Sequence, residues 1–163
     1  MTQKLLEMAG IGKDRLHLAW VSSAEAQRFT EVAVSVTESA KAQGKLDSKA
    51  LKMELEAAEM TLDGETVRWL VGKEIKITSK GDVYGRKWDV ETYEEILDDI
   101  LEREFQKNLI YLAIKEGSAS VRDISNKTGL ELLRVSYLLA DLEHTNRVEF
   151  TGMEDSKPAF AAL

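Results

Sequence analysis

Ser22 and Ser23 follow His17 closely enough to suggest a nucleophile and its base. No third group that would orient the imidazole is evident, and Ser22 with Glu25 three residues on reads instead as a capping box at a helix start. Gly10-Ile11-Gly12-Lys13 is too short between its glycines for a phosphate-binding loop, and it precedes an extended segment rather than a helix. Glu91, Glu94, Glu95, Asp98, Asp99, Glu102 and Glu104 crowd one stretch and invite a metal reading. They mostly avoid the apolar seam of that stretch, which is the pattern of a solvated acidic face. His144, near a helix end, reads as a partner of the helix dipole. Met53 and Met60 read as core filler, and Trp20, Trp69 and Trp88 as core or interface residues.

A second set of candidates lies in the last third of the chain. Ser120–Leu130 reads as a short helix, a glycine turn and an apolar re-entry. Glu131 to about Thr145 is a helix with Leu132, Val135, Leu138, Leu139 and Leu142 inward. Arg147–Phe150 and Pro158–Ala162 read as strands around a turn from Thr151 to Lys157. Together these form a winged helix-turn-helix, a fold that can place its second helix in a DNA major groove. The residues available to phosphates or bases are Lys127, Arg134 and Arg147. Between residues 118 and 163 there are five basic and seven acidic residues, net −2, with carboxylates in the wing turn. DNA-reading units carry a basic stripe, so the module is expected to bind protein, with a DNA-binding regulator as the alternative.

Composition narrows the rest. The 163 residues carry 22 Lys+Arg against 29 Asp+Glu, a net charge of −7. This works against non-specific binding to a polyanion. With no Cys and two His, thiolate metal sites, Cys-ligated clusters and disulfides are excluded for these residues, and a multi-His site is not expected. No apolar run reaches the ~18 residues of a membrane span. The N-terminal residues lack the apolar core of a signal peptide, so cytoplasmic residence is expected.

The elements that must hold these residues can be read in order. Thr2–Ala9 predicts a short helix stopped at Gly10. Arg15–Val21 is apolar on both alternating faces, as in a strand covered on both sides. Ser22 begins a helix expected to end at Gly44, with Ala26, Phe29, Val32, Ala33 and Val36 as its stripe. A lone strand cannot satisfy its own backbone. It must pair within this chain, with a second copy, or with another protein. A helix follows from Ser48 to about Leu62, another from Glu65 to about Ser79, then a loop at Lys80–Gly85. Asp89 caps a long helix to about Glu116, with a seam through Tyr93, Leu97, Leu101, Phe105, Leu109 and Leu112.

The order Leu18, Trp20, Val21, Ser22, Ser23, Ala24, Glu25, Arg28, Phe29 resembles the C-terminal end of the delta subunit of methyl-viologen-reducing hydrogenase, also called the hydrogenase iron–sulfur subunit. The resemblance covers about the first 43 residues. Arg68–Glu74, Val83–Gly85 and the winged helix look like an extension that some members carry. The resemblance implies an electron-transfer subunit working between a hydrogenase or another dehydrogenase and a heterodisulfide reductase-type complex. The family's cluster cysteines lie upstream of the matching segment, so no residue here inherits a ligand role. The iron–sulfur cluster and flavin are expected in partner subunits, and none bound by this chain.

The expected fold is therefore mainly α with a small α/β element: an N-terminal helix-strand-helix fragment, a helical middle and a C-terminal winged helix-turn-helix. Residues 1–44 are assigned to the fragment, 45–88 to a helical connector, and 89–163 to the long helix with the winged unit. The expected function is that of a non-catalytic adaptor. Leu16, Leu18, Trp20 and Phe29 would anchor it to an iron–sulfur or flavin protein subunit or to a second copy of itself; nucleic-acid and membrane partners are not expected.

Overall fold

The computed structural model describes residues 1–154 and 157–163. Its helices, in order, are α1 (Thr2–Met8), α2 (Ala26–Gln43), α3 (Lys52–Asp63), α4 (Glu65–Ile75), α5 (Val90–Lys115), α6 (Val121–Thr128) and α7 (Leu132–His144). Two strands, β1 (Val148–Glu154) and β2 (Lys157–Ala162), complete a mainly α fold. A single 3₁₀ turn, Lys13–Arg15, follows α1, and a π-helical turn, Lys76–Lys80, extends α4.

Several boundaries follow from residues able to satisfy free backbone groups. Asp89 accepts from the Thr92 amide at 2.8 Å and opens α5. Ser120 accepts from the Asp123 amide and opens α6, which Gly129 closes in the left-handed conformation at φ 73°. One proline in the chain, Pro158, lies in β2, so α5 runs 26 residues without a break.

α5 is the spine. Leu101, Phe105, Leu109 and Leu112 pack with Leu5 and Ala9 from the N-terminus, Ala57 and Ala58 of α3 and Val67 of α4. Met53 and Met60 pack against this cluster as core filler. Ile110, Ala113 and Ile114 face the other way, into the core of Ile124, Val135, Leu138, Leu139, Leu142 and Val148. Tyr93 and Leu97 close the N-terminal end over Leu70. The Tyr93 hydroxyl donates to the Leu70 carbonyl at 3.1 Å, and burial together with the nearby Glu74 carboxylate raises its pKa.

α6, α7 and the hairpin form the expected winged unit. The strands pair antiparallel from Val148 opposite Ala162 to Glu154 opposite Lys157, with an irregularity between Phe150 and Gly152. Ser120 bridges to Ala159, and the Phe160 amide donates to the Ala119 carbonyl at 3.0 Å, which adds a short third edge. The expected turn at Thr151–Lys157 is narrower than the sequence suggests. Thr151–Glu154 and Lys157 belong to the strands, and Asp155 and Ser156 lie outside the described residues.

The N-terminal fragment differs from its expected form in two respects. Leu16–Val21 forms no strand; it pairs with no strand among the described residues. The reason is supply: the chain's one described two-stranded sheet belongs to the wing. The predicted helix start also moves. The Glu25 carboxylate accepts from the Ser22 amide at 2.8 Å, as a capping box requires, but regular helix begins at Ala26. The end at Gly44 is as expected.

Candidate functional site

The N-terminal arm is the part of the chain that spends least of its apolar surface on its own core. Leu18 is 80% exposed and Trp20 92%, and Phe29 on the first turns of α2 is also exposed. Leu16 is half-buried. α2 contains no buried residue at all, although its sequence carries an apolar stripe. Val32 and Val36 from that stripe, with Leu16 and Leu18 of the segment before α2, line a shallow cavity of about 510 Å³.

Polar contacts hold the base of this arm. The Arg15 guanidinium donates to the carbonyls of Gly44 and Gln43, each at 3.1 Å. A cation at the last carbonyls of a helix opposes the negative end of its dipole. The Gln43 side chain returns a hydrogen bond to the Asp14 carbonyl at 2.7 Å. Arm and helix are therefore tied at one end while the aromatic side chains remain in solvent.

The four residues expected to anchor a partner are thus placed on adjacent stretches, with Leu18, Trp20 and Phe29 uncovered. An exposed indole next to an exposed leucine is costly in water, and burying such side chains stabilises a complex by roughly 1.5–3 kcal/mol each. Trp20 is correspondingly no core residue. Trp69 and Trp88, 58% and 41% exposed, are not core residues either, which leaves the interface alternative for all three.

The winged unit uses its cations internally. Lys127 pairs with Glu116 at 2.7 Å. Arg134 donates from Nε to Gln106 Oε1 at 2.6 Å. Arg147 donates to Asn108 Oδ1 at 2.8 Å and lies 4.6 Å from the centre of the Tyr111 ring. Each of the three is paired with a group of the protein itself; Arg134 and Arg147 are half-buried, while Lys127 stays exposed. The outward face of α7 instead presents Leu133, 84% exposed, and Tyr137 one turn later, with the Arg103 guanidinium 5.7 Å from the Tyr137 ring. Leu133 falls off the stripe of Val135, Leu138, Leu139 and Leu142, which is the sequence signal that identifies it as outward; Leu132, expected inward, is also exposed, since it stands at the first position of α7.

The remaining candidates resolve locally. Ser22 Oγ accepts from the Ala24 amide at 3.4 Å, and among the described residues no hydrogen bond joins either serine to His17. Among the described residues no group of three or more His, Asp or Glu is arranged to hold a metal ion, and Asp98 on the acidic face pairs with Lys4 at 2.8 Å. No described helix is long and apolar enough to cross a membrane.

The net charge conceals one concentration of opposite sign. Residues 65–88 hold six basic and three acidic residues, net +3, beside the acidic first half of α5. Counting charge by segment reveals it; counting over the whole chain does not. No protein-family model, curated protein or solved structure matches this chain.

Proposed function

We propose that the chain is a non-catalytic docking subunit of a cytoplasmic electron-transfer complex of the heterodisulfide reductase/hydrogenase type. The observation that carries the docking role is the uncovered N-terminal arm: a segment without regular structure or strand partner that bears Leu18 and Trp20, followed by a helix with no buried residue. Extended backbone with free N–H and C=O groups is suited to joining the edge of a sheet in another polypeptide. Leu16, Leu18 and Trp20, two residues apart, would then fall on one face and bury together. The nature of the partner rests on the resemblance of residues 18–29 to the hydrogenase delta subunit. The cluster and the flavin belong to that partner, and this chain supplies the covering strand and helix.

The test is anaerobic affinity capture with the full chain, with bound polypeptides identified by mass and assayed for iron and acid-labile sulfide. A cluster-bearing polypeptide retained by the native chain and lost with the Leu18→Ala/Trp20→Ala double variant supports the proposal. Absence of any cluster-bearing partner, or equal retention by the variant, overturns it.

A further inference from the structure

The concentration of positive charge in residues 65–88 coincides with a cavity of about 550 Å³ between α4 and the loop that follows it. Its walls are Trp69, Lys73, Lys76 and Ile77 from the helical side, with Trp88 and Arg86 opposite. Trp69, Lys73, Lys76 and Ile77 share one helical face by their spacing. The π turn contributes here: the Gly81 amide donates to the Lys76 carbonyl at 2.8 Å, and such turns recur at functional sites.

The facing wall is fixed by its own hydrogen bonds. Asp82 accepts from the amides of Tyr84 and Arg86 at 2.8 and 2.9 Å and from Arg86 Nε at 2.7 Å. The Arg86 amide bond leads the causes that hold the Asp82 carboxyl below its ordinary range, so it stays ionised and paired. The Trp88 amide donates to the Ile77 carbonyl at 3.2 Å, closing the loop onto the π turn. Gly81 has φ 81°, and a Cβ there would meet the Arg86 carbonyl and the Lys87 side chain at 3.0 Å, so this close approach requires glycine.

The one carboxylate lining the cavity is thus committed to Arg86. Lys73 and Lys76 have no carboxylate within 4.0 Å among the described residues. The concavity therefore offers two part-exposed indoles and two uncompensated ammonium groups. Indoles take flat rings by stacking, and ammonium groups take phosphate as point charges. The volume falls within the range of small-molecule sites.

We propose that this cavity binds a free mononucleotide, its base against Trp69 and Trp88 and its phosphates at Lys73 and Lys76. A single nucleotide fits better than a nucleic-acid strand. Asp89 and then Glu91, Glu94 and Glu95 of α5 follow Trp88 in the chain, and their charge opposes a polyanion that runs on along α5. The site is independent of the N-terminal arm and of the docking role proposed for it.

The experiment uses the full chain with Trp20→Phe, so that indole fluorescence reports Trp69 and Trp88. ATP, adenosine, pyrophosphate and a twelve-residue oligothymidylate are titrated by fluorescence and by calorimetry. Saturable ATP binding is expected, with adenosine and pyrophosphate each weaker by about tenfold or more. Lys73→Gln/Lys76→Gln and, separately, Trp69→Leu are each expected to weaken ATP binding by about tenfold. The lysine variant alters only exposed side chains and keeps the test valid if the indole variant misfolds. Absence of saturable ATP binding overturns the proposal, as does unchanged ATP affinity in the lysine variant. Pyrophosphate binding equal to ATP overturns the role of the indoles. Tighter binding of the oligonucleotide than of ATP overturns the choice of a free nucleotide.

Discussion

Asn108 on α5 donates from Nδ2 to the Thr61 hydroxyl of α3 at 2.9 Å, and both residues are buried. The hydroxyl in turn donates a hydrogen bond to the Ala57 carbonyl at 2.7 Å, and Asn108 Oδ1 accepts from Arg147 at the entrance to β1. A chain of three hydrogen bonds thus crosses from α3 through α5 to the wing. Buried side-chain polar atoms without a partner are absent among the described residues. Asn108→Ala strands the Thr61 acceptor and the Arg147 donor together. Its expected cost is about 2 kcal/mol, the penalty of buried groups left unpaired. A lowered urea midpoint with an unchanged slope checks it.

Leu138 of α7 is fully buried between α5 and the hairpin. Leu138→Ala removes a transfer contribution and leaves a cavity, for an expected loss of about 2–5 kcal/mol. Thermal and urea unfolding both measure it. A loss below about 1 kcal/mol contradicts the packing described.

Trp20→Ala should leave stability unchanged within about 0.5 kcal/mol, because the indole touches little of its own chain. Phe29→Ala should behave alike. Both variants should nevertheless lose capture of the proposed partner. Equal melting temperatures with unequal capture is the expected pair of results.

Glu116 and Lys127 join the end of α5 to α6 at 2.7 Å. The hydrogen bond from Lys127 and then its charge hold the Glu116 carboxyl below its ordinary value of 4.5. The unfolded chain therefore binds the proton more readily, so stability rises with pH in this interval. The contribution is present above about pH 4.5 and disappears as pH falls through the lower folded value. Because the pair is partly exposed, the effect is about 0.5 kcal/mol and is screened by salt. A Glu116→Gln variant should show a flatter stability profile between about pH 5 and pH 3.

Duplex DNA should not bind measurably at low salt, since Lys127, Arg134 and Arg147 are each paired with groups of the protein and the winged unit is net acidic. Electrophoretic mobility or fluorescence anisotropy at about 50 mM salt checks this, where phosphate contacts are strongest. A steep salt slope would restore the regulator as the better reading.

Where structure could be read directly from sequence, a local rule was sufficient. Asp89, Ser120 and Gly129 mark helix ends through groups they carry themselves. The seam of α5 repeats long enough to leave one orientation. Leu16–Val21 shows the opposite case: two apolar faces suggest a covered strand, but pairing depends on an edge elsewhere. Trp69 and Trp88 were legible as aromatic residues but not as exposed ones. Whether an indole is covered depends on how the 81–88 loop closes, and that closure turns on Asp82 and Gly81 rather than on any periodic pattern. The lysines of the same region were hidden by an acidic total.

Arg15 grips the last carbonyls of α2, and beyond that end the helix is held only by half-buried contacts such as Val32 and Val36. Mechanically it is a cantilever, with Phe29 near its free tip and Gly44 at its root. A load applied at the tip is felt at the root, where the guanidinium sits. Charge removal at residue 15 would therefore loosen the lever without touching the surface that does the gripping.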